Sequence, residues 1–297
     1  MTTRSEPLPQ LPPLHVHREG TGPALVALPG IGSTWEEFRS LLPLLARRYD
    51  VLALDLPGQG DSPPLPPGRT SDVAGLTDAV EAELDQRGVA LPHVLGVSLG
   101  GRVALELARR GRARSVVAIG PTGPVTPPER GFQAALLGLS RLVYGAASPV
   151  ADRLAQPAAV RTLALFPLRA RGWRASPEEA AALVRAMGRG DDFWRQLRWA
   201  ILPEGQLDYR AVRCPVRIAQ GSADVLSLGQ ALRLAALVPG ARFSWLPFAG
   251  HSSVGDVPEQ VAALVDDAAA AADEPPVQQA QQAPGEPDAA GVSGERP

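Results

Sequence analysis

The stretch Pro92-His93-Val94-Leu95-Gly96-Val97-Ser98-Leu99-Gly100-Gly101-Arg102-Val103-Ala104-Leu105-Glu106-Leu107-Ala108 decides the fold of this 297-residue chain. A short apolar run, 92–95, leads into G-x-S-x-G and passes directly into a helix-like run, 102–108. A strand must therefore turn sharply into a helix at Ser98. Both glycines serve that turn, because neighbouring backbone passes where a Cβ would clash. The turn lifts the Ser98 hydroxyl above the sheet edge, and the helix N-terminus supplies N–H donors and a positive dipole end. The pentapeptide alone recurs by chance. The strand before it and the helix after it make Ser98 a candidate nucleophile rather than an idle serine.

A serine so placed needs a base and an orienting acid, which in this arrangement follow in the order nucleophile, acid, histidine on loops after later strands. There are four histidines, His15, His17, His93 and His251. Only His251 lies well downstream, in Phe248-Ala249-Gly250-His251-Ser252-Ser253, just past the strand-like run Arg242 to Leu246. The acid is sought between the two. Pro215 to Gln220 reads as a strand, and Gly221-Ser222-Ala223-Asp224 turns off its end. Asp224 is thus the orienting carboxylate, expected to accept the Nδ1–H of His251 and stabilise the imidazolium. Asp256 is nearer to His251 in sequence, but Val257-Pro258-Glu259 follows it and it reads as a helix-start residue. The loop Gly120 to Pro124, after the strand Ser115 to Ile119, contains no carboxylate.

An oxyanion hole needs two backbone donors. One expected donor is the N–H of Leu99. The other comes from the loop Pro29 to Trp35 after the strand Ala24 to Leu28, with Ile31 chosen and Gly32 the near alternative.

In these blocks the chain resembles the α/β-hydrolase family, in its lidded serine esterase, lactonase and carbon–carbon bond hydrolase branch. They are Leu28-Pro29-Gly30-Ile31-Gly32, Asp55-Leu56-Pro57-Gly58-Gln59-Gly60-Asp61-Ser62, the Ser98 elbow with Gly101, and Gly221 to Asp224 followed by Ala249-Gly250-His251. The second block is a structural loop of that family. The resemblance implies an α/β fold, a mostly parallel twisted sheet with helices on both faces and an inserted helical lid. The core would be 13–122 and 207–268, the lid 123–206, and 1–12 and 274–297 flexible termini. Family members usually carry His-Gly where this chain has Pro29-Gly30, and often a two-stranded hairpin where only one strand, Leu14 to Arg18, precedes Ala24. Relatives that open epoxides or carbon–halogen bonds use aspartate at the elbow, so Ser98 points to acyl chemistry. The same triad also serves carbon–carbon bond hydrolysis, thioester hydrolysis, perhydrolysis and cyclisation, and the fold can carry a non-catalytic binder.

The rest of the sequence is compatible. Strands alternate with helices from Ala24 to Asp267, as a parallel sheet covered on both faces requires. Hydrophobic residues make up 45%, enough for a sizeable core, and the net charge is −2 with arginine as the sole strong base. That balance gives no electrostatic case for nucleic acid or a membrane surface. Single Cys214 excludes an internal disulfide and a cysteine-based metal site, and no metal or cofactor is expected. Residues 1–13 show no signal sequence and no apolar stretch reads as long enough to span a bilayer, so a cytoplasmic enzyme is the expectation. From Glu274 the composition is that of a disordered tail. Between Gly123 and Gln206 no strand is evident, and helices read out over Arg130 to Tyr144, Pro149 to Leu165, Pro177 to Gly188 (with a Ser176 cap) and Asp191 to Leu202. The aromatic residues gathered there suggest an apolar small-molecule acyl substrate, with Trp173, Trp194 and Trp199 as candidate contacts. Most such residues in a helical block serve as core.

Overall fold

A computed structural model describes residues 10–201, 208–227 and 229–274. Seven strands form one sheet: β1 Val16–Glu19, β2 Ala24–Leu28, β3 Asp50–Leu54, β4 His93–Val97, β5 Ser115–Ile119, β6 Val216–Gly221 and β7 Arg242–Leu246. Their spatial order is β1-β3-β2-β4-β5-β6-β7. Only β1 is antiparallel, paired with β3, so the six other strands all end on the same edge. β1 is the single strand expected before Ala24. β3, the run Asp-Val-Leu-Ala-Leu, is an element the sequence reading did not single out.

Alternation within the strands shows why the sheet is covered twice. Val26, Leu28, Leu52, Leu54, Val94, Val116 and Ile218 face one core. Their neighbours Leu25, Ala27, Val51, Ala53, Leu95, Val117 and Ala219 face the other. The second core is closed by α1 (Leu42–Leu45) and by the last described helix, Pro258–Asp273. The first is closed by α2 (Val73–Gln86), α3 (Leu99–Arg109) and the helix Gln230–Leu237. α3 buries Leu99, Val103 and Leu107, one residue per turn, against the sheet.

Between β5 and β6 lies a helical block: α4 (Pro127–Ala147), α5 (Ala151–Leu154), α6 (Ala158–Leu165), α7 (Pro177–Arg189) and α8 (Phe193–Ile201). Ser176 caps α7 as expected, its hydroxyl accepting the Glu179 N–H at 3.1 Å with Pro177 at the first helical position. The expected helix Pro149 to Leu165 is instead two, separated around Pro157, whose missing N–H and ring do not fit a helix interior. A second expectation also fails. α4 runs through a 3₁₀ turn at Ser148–Val150 into α5, and this 28-residue run contains an 18-residue window of mean hydropathy 1.3, long and apolar enough to cross a bilayer by length and composition. The remaining helices are α9 (Gln230–Leu237), α10 (Ser253–Asp256) and α11 (Pro258–Asp273). The expectations for 1–12 and 274–297 fall almost wholly outside the described residues, as does the end of the helix expected to reach Leu202.

Candidate active site

The sheet edge collects the loops that follow β2, β4, β5, β6 and β7. Ser98 joins β4 to α3 with φ 53° and ψ −114°, a left-hand-side backbone conformation that a side-chain-bearing residue adopts only under local constraint. The constraint is visible. A Cβ on Gly96 would lie 2.2 Å from the Gly100 carbonyl oxygen, and one on Gly100 would lie 2.2 Å from that of Leu28. The Ser98 N–H donates to the Ile119 carbonyl at 2.9 Å, fixing the turn to β5.

His251 and Asp224 meet as the spacing predicts. His251 Nδ1 is 3.0 Å from Asp224 Oδ2, and both side chains are buried. The carboxylate is held by its own loop: Oδ1 accepts the N–H groups of Leu226 (2.8 Å) and Ser227 (3.1 Å), and Oδ2 the Ser227 hydroxyl. Gly120, at the end of β5, lies beneath the pair; a Cβ there would be 3.1 Å from His251 Nδ1. The other ring nitrogen, Nε2, is buried and has no hydrogen-bond partner among the described residues, Ser98 included. His251 and Ser98 line the same cavity, with Gly30, Ile31 and Gly32 on one side and Leu137, Leu183, Met187 and Leu226 over it. The cavity is small, about 30 Å³.

Electrostatics follow from this packing. Burial pushes the Asp224 carboxyl up, but the His251 charge and hydrogen bond and the Ser227 donors outweigh it, bringing Asp224 down to about 2. Burial works the opposite way on His251. Asp224, and behind it Glu37, override that and hold the imidazole above its ordinary value.

Glu37 is a residue the sequence reading missed. It is buried on the cavity wall, where Oε2 accepts the Gly30 N–H at 2.9 Å and Oε1 the Ser252 hydroxyl at 2.6 Å. One carboxylate thus ties the Pro29–Gly32 loop to the His251 loop, which accounts for how the loop is held with proline at position 29. The Asp55 block braces the same loop from behind: Asp55 Oδ1 accepts the Trp35 N–H at 2.7 Å, and Gln59 Oε1 the Ser33 N–H at 3.0 Å. Ile31 lines the cavity, and Leu99 opens α3, whose first N–H groups lack an intrahelical acceptor.

Asp256 does not start a helix. The residue at the N-cap of α11 is Val257, and Asp256 ends α10 fully buried. Its carboxylate accepts three N–H groups, from Gly250 (2.8 Å), Ala170 (2.8 Å) and Arg171 (3.0 Å). With the Ser252 N–H donating to the Leu168 carbonyl at 2.8 Å, it latches residues 168–171 of the helical block onto the histidine loop. Beside the latch, Arg169 pairs with Glu179 at 2.7 Å, both buried.

The three tryptophans are not brought to this site. None lines the cavity over Ser98, and Trp173 and Trp194 are 51% and 52% exposed. In α8 the inward positions are Phe193, Gln196 and Leu197, at helical spacing, which turns Trp194 out. Aliphatic side chains and Met187 occupy the positions expected of the aromatics.

A strained serine between strand and helix, a buried histidine–carboxylate pair on later loops and a doubly covered parallel sheet define a hydrolase of α/β architecture. A family model described as the alpha/beta hydrolase family matches residues 25–264, and the chain belongs to that family. Among curated proteins, it is 33% identical over 262 residues to a pimeloyl-[acyl-carrier protein] methyl ester esterase of Aromatoleum aromaticum, covering 82% of this chain and 97% of that protein. It is 30% identical over 200 residues to the epoxide hydrolase EphH of Mycobacterium tuberculosis, covering 65% and 92%. Among solved structures, the enol-lactonase of Burkholderia xenovorans LB400 superposes with a TM-score of 0.63 at 19% identity, covering 86% of this chain and 95% of that one. The two curated relatives support an enzyme of the hydrolase class.

Proposed function

We propose that the protein is a serine hydrolase that cleaves a carboxylic ester, lactone or related acyl bond of a largely apolar small molecule. The observation that carries this reading is the unpartnered Nε2 of His251, buried in the same cavity as the strained Ser98. Ser98 Oγ attacks the acyl carbon while its proton passes to His251 Nε2. Asp224 holds the ring through Nδ1 and balances the imidazolium charge. The N–H groups of Ile31 and Leu99 receive the oxyanion. Collapse breaks the acyl–oxygen bond, and His251 returns its proton to the departing alkoxide. Water, deprotonated by the same nitrogen, then hydrolyses the acyl-serine and frees the acid.

The serine argues for acyl over epoxide substrates, even with an epoxide hydrolase among the relatives. Ser98 attack on an epoxide would form an ether, which water cannot resolve; an acyl-serine it can. Residues 123–206 act as a lid on a core of 13–122 and 207–268. A cavity of about 30 Å³ has room for little more than water. Admission of substrate therefore calls for movement of lid side chains over the cavity, Leu137, Leu183 and Met187 among them, and closure then excludes bulk water. The test is a fluorophosphonate probe with a panel of p-nitrophenyl esters, lactones and thioesters. Labelling at Ser98 with turnover of one class supports the proposal; an unlabelled, inactive wild-type chain sinks it and leaves a ligand binder.

The pH dependence has a definite sign. Only neutral imidazole accepts the Ser98 proton, and the partners of His251 hold its pKa above 6.5. Turnover of a neutral ester should therefore fall as pH drops through that raised pKa, with the acid limb midpoint above 6.5. Glu37 contributes to the elevation, so Glu37→Gln should move the limb to lower pH. A limb unmoved in that variant would remove Glu37 from the electrostatics of the base.

A further inference from the structure

The lid carries a surface that the chemistry at Ser98 does not use. α4 turns inward with Gln133, Leu137 and Tyr144. Its outer face is Phe132, Ala135, Leu139, Leu142, Val143 and Ala146, a stripe at helical spacing with no charged residue in it. The four large side chains of that stripe are 46–64% exposed. Trp194 extends the stripe sideways, because α8 packs it on α4 where a Cβ at Gly138 would lie 3.5 Å from the indole. The apolar surface continues along the chain through Val150 and Leu154.

Charge is distributed to match. The net charge of −2 conceals a split: residues 123–206 hold eleven arginines against seven acidic residues, a net of +4, and the rest of the chain is net −6. Arg153, Arg189 and Arg198 are exposed on the lid, and the structure gives them no acidic partner among the described residues. Several exposed arginines on the core, Arg18 with Asp50 and Arg48 with Asp266 among them, are paired. Arg189 ends α7, whose Gly188 packs on Tyr144 of α4, and Arg198 lies one turn from Trp194 on the same face of α8.

We infer that the outer face of α4, with Trp194 and these three arginines, docks the protein on an anionic lipid bilayer. An apolar stripe seats at the acyl boundary while guanidinium groups meet lipid phosphates. The helix lies on the surface and does not cross. Crossing would tear Leu137 from the cavity, break the Gln133 Nε2–H bond to the Leu226 carbonyl (2.8 Å) and break the Arg141 bond to the Gly188 carbonyl (2.5 Å). The stripe could also pair with itself, but a two-fold pairing would set one net +4 lid against another. The inference is independent of the proposed acyl chemistry, since Ser98→Ala protein serves equally well for its test.

The full chain is mixed at low salt with phosphatidylcholine vesicles, with or without phosphatidylglycerol, and pelleted. Each arginine near an anionic surface contributes roughly five-fold, so binding to anionic over neutral vesicles should favour the former on the order of 100-fold and weaken in high salt. An R153Q/R189Q/R198Q variant should lose most of that preference. An L139Q/L142Q variant should bind at least about ten-fold more weakly while keeping the wild-type thermal midpoint. Failure to pellet with anionic vesicles, equal binding to neutral ones, or undiminished binding by L139Q/L142Q would overturn the inference. So would a dimer in light scattering that L139Q/L142Q dissociates, which would make the face a contact between two copies.

Discussion

Ser98→Ala is expected to reduce kcat for the best ester substrate by on the order of 10⁶-fold, the scale seen when a triad nucleophile is removed. What remains should be a residual rate from the oxyanion donors and substrate binding. KM should change little, since the hydroxyl is needed for bond formation rather than for holding substrate. Folding should be preserved. Ser98 makes no side-chain hydrogen bond to a described residue, and its left-hand-side φ of 53° is enforced by Gly96, Gly100 and the Ile119 carbonyl, all unchanged. A thermal midpoint near wild type together with lost turnover and lost fluorophosphonate labelling is therefore the expected pair of results. His251→Ala should cost about as much, because neither residue acts without the other. Turnover within about ten-fold of wild type in Ser98→Ala would mean the bond is broken by another group.

Much of this site was legible because its signals are local. The elbow is five consecutive residues with strong backbone demands, and Asp224 and His251 each sit in a short turn directly after a strand. What was not legible depends on contacts between distant segments. Glu37 and Ser252 are 215 residues apart, and nothing in Trp35-Glu36-Glu37-Phe38 separates the half-buried first glutamate, paired with Arg39, from the buried second one. In the sequence Gly120 reads only as part of a loop lacking a carboxylate, whereas its small size is what admits the His251–Asp224 pair. The tryptophans illustrate a different limit. Composition located aromatics in the lid, but helix rotation decides which side they face, and the Phe193/Gln196/Leu197 spacing turns Trp194 outward.

The second large effect belongs to Asp256, the residue whose role changed most between sequence and structure. Its buried carboxylate is the shared acceptor for three backbone N–H groups from two segments far apart in the sequence, Gly250 on the histidine loop and Ala170 and Arg171 in the lid. Asp256→Ala leaves those donors without an acceptor. Hydrogen bonds to a charged group contribute about 1.5–3 kcal/mol each, and partial relaxation and water entry keep the sum below additivity. A loss of about 3–5 kcal/mol in the urea unfolding free energy is expected, the range typical when one partner of a buried charged network is removed. Asp256→Asn should fall between. The oxygen at the Oδ2 position still serves Gly250 and Ala170, but the amide group then faces the Arg171 N–H donor to donor. The catalytic consequence follows from position. Leu168 and Arg169, inside the latched segment, line the cavity beside His251, so loosening the latch should lower kcat/KM in Asn as well as Ala, more in the latter. If Asp256→Ala matched wild type in both unfolding free energy and kcat/KM, the three bonds would carry no net weight and the attachment of the lid to the histidine loop would rest on the Ser252 N–H bond to the Leu168 carbonyl and the packing of Arg169 on Gly255 instead.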